Sequence, residues 1–272
     1  MQVALAGCSG YADPDAPLLL DALGRIGVAA ESAAWDAPVD WSAYDLVVVR
    51  STWDYVGRRE EFLSWADTVP RLANPASVLR WNTDKRYLAR LAAAGVPVVP
   101  TTYVDGGFTP PVGEYVVKPT VSAGAADTAR YGPDDGGAAA DHVARLLADG
   151  REVMVQPYLP SVETRQETSV LYLGGEFSHG ARKGRVLTGT AALSPEQWDL
   201  GAREPSAAEL ALAEQVLAAV DEPLLYARVD MLEGDDGPVL LELELTEPFL
   251  FLGYDEGAAD RFAAAIAAAA SS

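Results

Sequence analysis

The first 75 residues alternate between short apolar runs and longer segments whose apolar residues recur at helical spacing. QVALAG and DLVVVR each contain an apolar run of strand length, which predicts two buried strands. DAPLLLDALGRIG and REEFLSWADTVPRL repeat apolar residues every three or four positions, which predicts amphipathic helices. With VAAESAAW as a further strand, the β-α-β-α order predicts a small parallel sheet covered by helices.

The middle of the chain begins near Asn74-Pro75, where this pattern breaks. NTDKRYLARLAAAG predicts a helix that has Asn82 or Thr83 as its N-cap and ends at Gly95. The segments that complete this part are the strand EYVVKPT, the flexible loop SAGAAD, the return strand TARY, the helix GGAAADHVARLLADG and the strand EVMVQPYLP.

The last third of the chain is rich in predicted strands. TSVLYLGGEFSHGARK predicts a hairpin, and LLYARVDMLE and PVLLELEL predict a second hairpin. The turn EGDDGP joins its strands, folds about Asp235 and Asp236, and is positioned by Gly237-Pro238. PSAAELALAEQVLAAV predicts a helix between the two hairpins. TGTAALSPEQWDLGAREP has no recognisable pattern, and loops of this length are often lids. The fold class that follows is α/β, with α+β parts after the first sheet.

The charge balance limits the classes of partner. The sequence has 40 acidic and 20 basic residues, a formal net charge of -20, whereas nucleic acid requires a cationic surface. We therefore expect no nucleic-acid partner. The single cysteine, Cys8, excludes an internal disulfide and fits a reducing cytoplasm. No segment reaches the roughly 18 apolar residues of a membrane span, so a cytoplasmic protein without a membrane partner is expected.

Carboxylates interrupt the apolar strand VLLELELTEP near the end of the chain. Glu242 and Glu244 point to one face because side chains alternate along a strand. Folding the second hairpin about its turn brings Asp230 opposite Glu242, within one residue. Three neighbouring acids repel each other, and Mg2+ relieves the repulsion because it takes oxygen ligands and shares them with phosphates. The alternative is a solvated strand face, on which Glu-x-Glu is common.

Two of the few lysines occupy positions suited to holding a phosphate. Lys85 lies in the first turn of a predicted helix, where a surface cation opposes the helix dipole. Lys118 ends an apolar strand immediately before the loop of small residues, whose backbone N–H groups suit an anion. Neither a GxxxxGK[ST] nor a GxGxxG motif is present, so the two common nucleotide-binding folds are not indicated.

Taken in order, these segments resemble the ATP-grasp superfamily in its glutathione synthetase and RimK-like ligase branch. The matches run from about residue 82 to residue 248: NTDK, EYVVKP, the small-residue loop, VMVQPYLP, GGEFSHGARK, RVDML and LLELEL. RSTWDY, SAGAADTARY, YARVD and LELxEP are similar to the O-ureido-D-serine cyclo-ligase branch, which forms D-cycloserine. The resemblance implies an ATP-grasp fold in which an N-terminal Rossmann-like parallel-sheet subdomain (1–80) precedes two α+β subdomains (81–157 and 158–272) that clasp ATP.

The resemblance also implies a role for each matching residue. Arg182 or Lys183 would neutralise the transferred phosphoryl group, and Glu163 or Glu167 would bind the ribose. Two Mg2+ ions, or Mn2+ in their place, would be held by Asp230, Glu242 and Glu244. The remaining contacts to ATP would come from Lys85, Lys118, Ser122 and Gly124 for the phosphates and from Gln156, Pro157, Tyr158 and Leu159 for the adenine. Glu244 stands where many relatives have Asn, and Gly124 is the only glycine of a loop that is glycine-rich in relatives.

Substrate contacts are expected at the carboxyl ends of the parallel strands, where the ligands of such sheets collect. Arg50 is the best-placed guanidinium for a substrate carboxylate, followed by Ser51, Thr52, Trp53 and Asp54. A cap of the next helix or an ion pair with Asp54 is the alternative role of Arg50. Asp54 is the only general base that we nominate.

Arg228 stands where the broader family often has a small residue. It is predicted either to contact the substrate or to form an ion pair within the acidic sheet.

The reaction that the resemblance implies is acyl activation. A carboxylate of a small amino-acid-like substrate would attack the γ-phosphate of ATP, and a nitrogen nucleophile would then displace phosphate from the acyl phosphate, in the same molecule or in another one. The alternatives are a non-catalytic ATP-binding module that binds a partner protein, and a kinase that releases ADP without free phosphate. The identity of the acid and the formation of a homodimer are left open.

Overall fold

The computed structural model of the chain describes residues 1–188, 191–192 and 197–272. Its first sheet is parallel, with the strand order β2-β1-β3-β4, as the sequence pattern predicts. The strands are β1 (Gln2–Gly7), β2 (Ala29–Ala34), β3 (Leu46–Ser51) and β4 (Leu72–Ala73), and the helices of this part are α1 (Ala16–Arg25) and α2 (Arg59–Thr68). The helix predicted for residues 59–72 ends earlier, because residues 72–73 pair with β3 as the fourth strand.

The helix predicted from residue 82 is shorter in the structure, where α4 spans Tyr87–Ala93. A further helix, α3 (Ala76–Asn82), occupies the segment predicted as a boundary. The prediction of Asn82 or Thr83 as an N-cap is therefore wrong. The Asn82 amide donates to the Leu243 carbonyl oxygen at 2.8 Å and accepts from the Leu245 N–H at 2.8 Å. The Lys85 N–H donates to the Thr120 carbonyl oxygen at 2.9 Å. These contacts to other strands hold residues 83–86 in a turn, so that Lys85 lies between two helices.

The central sheet is antiparallel, with the order β5-β8-β6-β7. Its strands are β5 (Thr102–Tyr103), β6 (Tyr115–Pro119), β7 (Ala129–Tyr131) and β8 (Val153–Pro157), and the helix α5 (Gly136–Ala148) covers one face. Tyr115 and Val117 on the sheet pack with Val143 and Leu146 on the helix in one buried cluster. The strands and the helix predicted for this part are confirmed.

The third sheet is antiparallel, with the order β13-β10-β9-β14-β15, and both predicted hairpins are confirmed. Its strands are β9 (Glu167–Leu173), β10 (Glu176–Lys183), β13 (Leu200–Ala202), β14 (Tyr226–Gly234) and β15 (Gly237–Glu244), and α6 (Ser161–Thr164) and α7 (Ala207–Ala218) belong to the same part. The long segment to which the sequence pattern assigns no structure contributes β13, which pairs with β10. The strands β11 (Leu187–Thr188) and β12 (Ala191–Ala192) pair with each other, and residues 189–190 and 193–196 of that loop lie outside the described residues.

The last helix, α8 (Ala258–Ser271), packs against α1 and the first sheet. Phe262 and Ile266 share one buried cluster with Val3, Leu5 and Leu23. Along the described part of the chain, no helix is both long enough and apolar enough to cross a membrane. The three-part division of the chain stays a prediction.

Candidate active site

A cleft with a volume of about 1010 Å3 opens where the three sheets meet. Its walls include the loops after β1 and β3, the loop after β6, the segment after β8, and residues of β10, β14 and β15. Binding pockets for small ligands commonly reach about 1,000 Å3, so this volume suits a nucleotide together with a small second ligand. The chain has three lysines, and all of them line this cleft: Lys85, Lys118 and Lys183.

The hairpin of β14 and β15 brings the predicted carboxylates together. Asp230 pairs with Glu242 in the strand register, and Arg228 pairs with Glu244, which confirms the predicted register. Glu242 and Glu244 both line the cleft. Burial raises the pKa of Glu244 to about 7 although Arg228 lies beside it. Burial also opposes the ionisation of Glu242, but Lys85 and Lys118 hold its pKa below the usual value.

Arg228 bridges Asp230 and Glu244. Its guanidinium donates to both oxygens of Asp230, at 2.8 to 3.1 Å, and also contacts Glu244. Asp230 accepts a further hydrogen bond from Ser169 at 2.7 Å and is 1% exposed. Within the described residues, no three His, Cys, Asp or Glu side chains are grouped to hold a metal ion. The three carboxylates nevertheless lie near one another, because the charge of Asp230 acts on the pKa of both Glu242 and Glu244. The shared patch also contains the guanidinium of Arg228, and the role of the three acids as joint metal ligands stays a prediction.

The position of Arg228 is compatible with both of its predicted roles. The residue forms the ion pair within the acidic sheet, and it also lines the cleft, where a ligand can contact it. Its guanidinium donates once more to the Phe249 carbonyl oxygen at 2.9 Å, which ties the segment after β15 to the sheet.

Lys85 lies opposite this hairpin. Its ammonium group is 2.8 Å from the Glu242 carboxylate and donates to the Ser122 carbonyl oxygen at 2.8 Å. Burial lowers the pKa of Lys85, but Glu242 outweighs that effect and holds the pKa above its usual value. Lys85 therefore joins the acidic hairpin to the loop of small residues.

Lys118 is the cation of the cleft that lacks a counterion. It is 7% exposed and, among the residues that the structure describes, it forms no ion pair. Burial lowers its pKa to about 8, and the charge of Lys85 contributes. A buried ammonium group without a partner is costly, and an anionic ligand would supply the missing charge.

The loop after β6 borders Lys118. Ser122 and Gly124 line the cleft, as predicted for phosphate contacts. Gly124 has φ +59°, and Ala125 and Asp127 adopt similar left-handed conformations. A loop with successive residues in this conformation presents backbone N–H groups that suit an anion.

The structure distinguishes Arg182 from Lys183, because successive residues of β10 face opposite sides. Lys183 lines the cleft and forms an ion pair with Glu167 at 2.6 Å. Arg182 lies outside the cleft and pairs with Asp199 at 2.9 Å. The position of Lys183 favours it over Arg182 for contact with a ligand.

The structure also distinguishes the two predicted ribose contacts. Glu167 is 5% exposed and lines the cleft, where burial raises its pKa to about 7 despite the nearby Lys183. Glu163 lies outside the cleft and accepts hydrogen bonds from Arg130 at 2.8 Å and from the Tyr158 hydroxyl at 2.9 Å. The predicted adenine contacts all line the cleft: Gln156, Pro157, Tyr158 and Leu159.

Arg50 does not reach the cleft, which contradicts its predicted contact with a substrate carboxylate. It is 1% exposed and lies 3.3 Å from Asp13 and 3.6 Å from Asp15. The rings of Tyr226 and Phe262 lie within 6 Å of its guanidinium carbon. Arg50 turns into the interior because two buried acids and two aromatic rings offer it partners there.

Some of the residues that follow Arg50 are also buried away from the cleft, and others line it. Ser51 and Thr52 are buried behind the cleft wall, and Asp54 accepts from the Trp35 indole N–H at 2.8 Å instead of pairing with Arg50. Among the residues predicted as substrate contacts after Arg50, Trp53 is the one that lines the cleft, and Tyr55 joins it there.

Glu247 is a cleft residue that the site prediction omitted. It is 9% exposed and lines the cleft. Burial and the neighbouring Glu244 raise its pKa to about 8, although the charge of Lys85 and a hydrogen bond from Tyr55 oppose the shift. The Trp53 indole N–H donates to the Glu247 carbonyl oxygen at 3.0 Å. A third acid directly before a proline, in LELTEP, was the signal in the sequence.

Comparisons with known proteins agree with this arrangement. The sequence profile of the N-terminal domain of D-cycloserine synthetase DcsG matches residues 3–74. The chain is 41% identical to the cycloserine biosynthesis protein DcsG of Streptomyces lavendulae, over 94% of this chain and 93% of that protein. A crystal structure of D-cycloserine synthetase DcsG superimposes with a TM-score of 0.92 at 39% identity, over 99% of this chain and 100% of that one.

A more distant structure shows the fold. The RimK domain ATP-grasp protein of Sphaerobacter thermophilus superimposes with a TM-score of 0.70 at 20% identity, over 97% of this chain and 98% of that one. The three sheets and the cleft between them are therefore an ATP-grasp fold.

Proposed function

The chain belongs to the D-cycloserine synthetase DcsG family of ATP-grasp ligases, and from that premise we propose that it closes a small amino-acid derivative into a ring at the expense of ATP. The substrate is a serine-derived amino acid, such as O-ureido-D-serine, whose carboxylate becomes the carbonyl group of a cyclic amide. The reaction is a C–N ligation within one molecule, with release of ADP and phosphate.

The observation that carries this proposal is the buried Lys118. Its ammonium group has no ion pair among the described residues and borders a loop with left-handed backbone conformations. An ammonium group of this kind suits a triphosphate. Lys85 and Lys183 border the same space, and Glu167 and the segment 156–159 are the groups available to the ribose and the adenine.

The residues of the hairpin fit a divalent metal ion. Glu242 and Glu244 supply carboxylate oxygens on one face of β15, which is the donor set that Mg2+ prefers. These two residues would hold the ion, and Asp230 would join them as a ligand where Arg228 releases it. A bound Mg2+ supplies charge stabilisation for the transferred phosphoryl group. We expect two Mg2+ ions at this site, or Mn2+ ions in their place.

The proposed reaction has two steps, a phosphoryl transfer and a ring closure. An oxygen of the substrate carboxylate attacks the γ-phosphorus of ATP, the bond from that phosphorus to the β-γ bridging oxygen breaks, and ADP leaves. The substrate nitrogen then attacks the acyl carbon, the bond from that carbon to the phosphoryl oxygen breaks, and phosphate leaves. The nitrogen loses one proton to solvent. In O-ureido-D-serine this nitrogen carries a carbamoyl group, so the first cyclic product is an N-carbamoyl amide, and water must then cleave the carbamoyl group, as ammonia and carbon dioxide, to give D-cycloserine. Arg228 and Lys183 line the cleft and are placed to stabilise the negative charge that develops on the transferred group and the acyl oxygen.

The test is turnover with a panel of acids. Purified protein, ATP and Mg2+ are incubated with O-ureido-D-serine and with other small D- and L-amino acids, while ADP and phosphate release are measured. Hydroxylamine in the reaction traps an acyl phosphate as a hydroxamate. Equal amounts of ADP and phosphate, released only with a suitable acid, support the proposal.

Variants connect turnover to the cleft. Lys118→Met is expected to lower kcat/KM at least 100-fold, whereas Arg90→Met removes an exposed cation on α4 and serves as the matched control. ADP that forms without free phosphate would indicate a kinase. Tight ATP binding that no acid converts into turnover would indicate the non-catalytic module. A cytoplasmic location and a homodimer stay predictions.

A further inference from the structure

The charged groups of the cleft pair almost completely with one another. Glu242 pairs with Lys85 at 2.8 Å, Glu167 pairs with Lys183 at 2.6 Å, and Arg228 serves both Asp230 and Glu244. Two groups are left over within the described part of the chain: the cation Lys118 and the acid Glu247. Lys118 is explained by the triphosphate, whereas the proposed function has so far given Glu247 no role.

Glu247 is held from two sides. Its own carbonyl oxygen accepts from the Trp53 indole N–H at 3.0 Å, and its carboxyl group takes a hydrogen bond from Tyr55. The preceding carbonyl oxygen, of Thr246, accepts from the Tyr226 hydroxyl at 2.8 Å. The segment therefore cannot swing its carboxyl group out to bulk water without breaking contacts to two separate parts of the fold.

A buried carboxyl group without a counterion either takes up a proton or awaits a cationic ligand. Burial and the charge of Glu244 raise the pKa of Glu247 to about 8, and Lys85, whose ion pair is with Glu242, does not reverse that shift. Glu247 is 9% exposed and lines the cleft, so a ligand that enters the cleft can supply the charge.

The surroundings of Glu247 favour an ammonium group over a second metal site. Trp53 and Tyr11 form an edge-to-face pair beside it, with ring centroids 6.4 Å apart, and Phe249 continues the same wall. Aromatic faces attract organic cations, whereas Mg2+ takes oxygen ligands and keeps several waters. One carboxyl group and aromatic rings make a poor metal site and a good site for a primary ammonium group.

We infer that Glu247 binds the α-ammonium group of the amino-acid substrate, with Trp53 and Tyr55 fixing its position. The inference rests on the proposed function and specifies one of its contacts. The substrate would then bind in the part of the cleft between the loop after β3 and the end of β15, next to Arg228. An acid without an α-amino group should then be a poor substrate because Glu247 would remain buried and unpaired.

The test compares two substrates in two proteins. The substrates are O-ureido-D-serine and its analogue without the α-amino group, and the proteins are the wild type and Glu247→Gln. With the amino substrate, Glu247→Gln should lower kcat/KM about 100-fold, mostly through KM. With the analogue, the variant and the wild type should differ less than threefold, and KM for ATP should stay unchanged. Glu256→Gln removes an exposed acid and is the matched control.

Other results would overturn the inference. An equal loss with both substrates, or a raised KM for ATP or Mg2+, would show that Glu247 acts on the nucleotide or on the fold. Tyr55→Phe provides a second variant if Glu247→Gln melts early, and it should raise KM for the amino substrate alone by about 3- to 10-fold.

A failure of the proposed function would appear separately, as wild-type protein that releases no ADP with any acid. In that event, calorimetric binding of D-cycloserine, which carries the amine, still decides the inference. Weaker binding to Glu247→Gln by about 100-fold supports it, and equal binding to both proteins refutes it.

Discussion

Asn74 offers the sharpest prediction about how the parts of this fold are joined. The residue follows β4 of the first sheet and is fully buried. Its amide nitrogen donates to the carbonyl oxygens of Tyr226, at 3.0 Å, and Leu245, at 2.8 Å. Its amide oxygen accepts from the Leu225 N–H at 2.7 Å. One side chain thus connects the first sheet to both strands of the hairpin that carries the cleft acids.

The substitution Asn74→Ala removes all three contacts and leaves three backbone groups buried without that partner. An unsatisfied buried group costs about 1–3 kcal/mol. Because strand carbonyls retain part of their bonding through the ladder, we take the lower half of that range for each group. The free energy of unfolding should then fall by about 3–6 kcal/mol, a large share of the roughly 5–15 kcal/mol that stabilises a typical protein.

Urea unfolding followed by tryptophan fluorescence measures this change. Ser77→Ala removes an exposed hydroxyl that bonds only Glu222, at 3.1 Å, and should change the free energy by less than about 0.5 kcal/mol. Asn74→Asp should cost at least as much as Asn74→Ala, because a carboxylate oxygen would then face two carbonyl oxygens. A loss below 1 kcal/mol in Asn74→Ala would refute the reasoning.

Three further predictions concern charged residues. Glu242→Gln should lower kcat at least 100-fold and abolish the rise in melting temperature caused by Mg2+ and ATP. The exposed Glu176→Gln should keep the wild-type kcat and the wild-type rise in melting temperature. An unchanged kcat in Glu242→Gln would contradict the proposed metal contact. Burial lowers the pKa of Lys118 to about 8, so its labelling by an amine-directed reagent, followed by mass spectrometry, should be half-maximal near pH 8, level off about one pH unit higher, and be blocked by ATP. A labelling rate that still rises towards pH 10 would contradict that pKa. Arg50→Met leaves two buried acids without a counterion and should lower the free energy of unfolding, measured in urea, by about 3–5 kcal/mol. The KM for O-ureido-D-serine should change less than threefold. A selective rise in that KM would show that Arg50 contacts the substrate.

The elements of this fold were predictable because their signals are local. The apolar run of β3 and the turn of the last hairpin each determine their own strands. Once the turn is known, the alternation of side chains brings Asp230 opposite Glu242 without further information. The order of the motifs along the chain gave the resemblance to ATP-grasp ligases. The phosphate-binding role of Lys118 was predicted from its position at the end of a strand, and its place in the cleft is compatible with that role.

The directions of long polar side chains were not predictable in the same way. Arg50 lies at the expected strand end, but it turns inward to Asp15 and to the ring of Phe262, which is distant in the sequence. Asn82 resembles an N-cap locally, and its contacts to β15 decide its role instead. Such partners are chosen by the tertiary structure, and no local pattern records them.

The helix α8 has a consequence for how the protein is made. A ribosome releases residues in order, so α8 leaves the exit tunnel after the first sheet that it covers. Its Phe262 and Ile266 fill the same core as Val3 and Leu5, which are synthesised more than 250 residues earlier. The first sheet of a nascent chain therefore keeps an uncovered apolar face until α8 has been made. Molecules that terminate early would carry that face into the cell, where chaperones and proteases recognise exposed apolar surface.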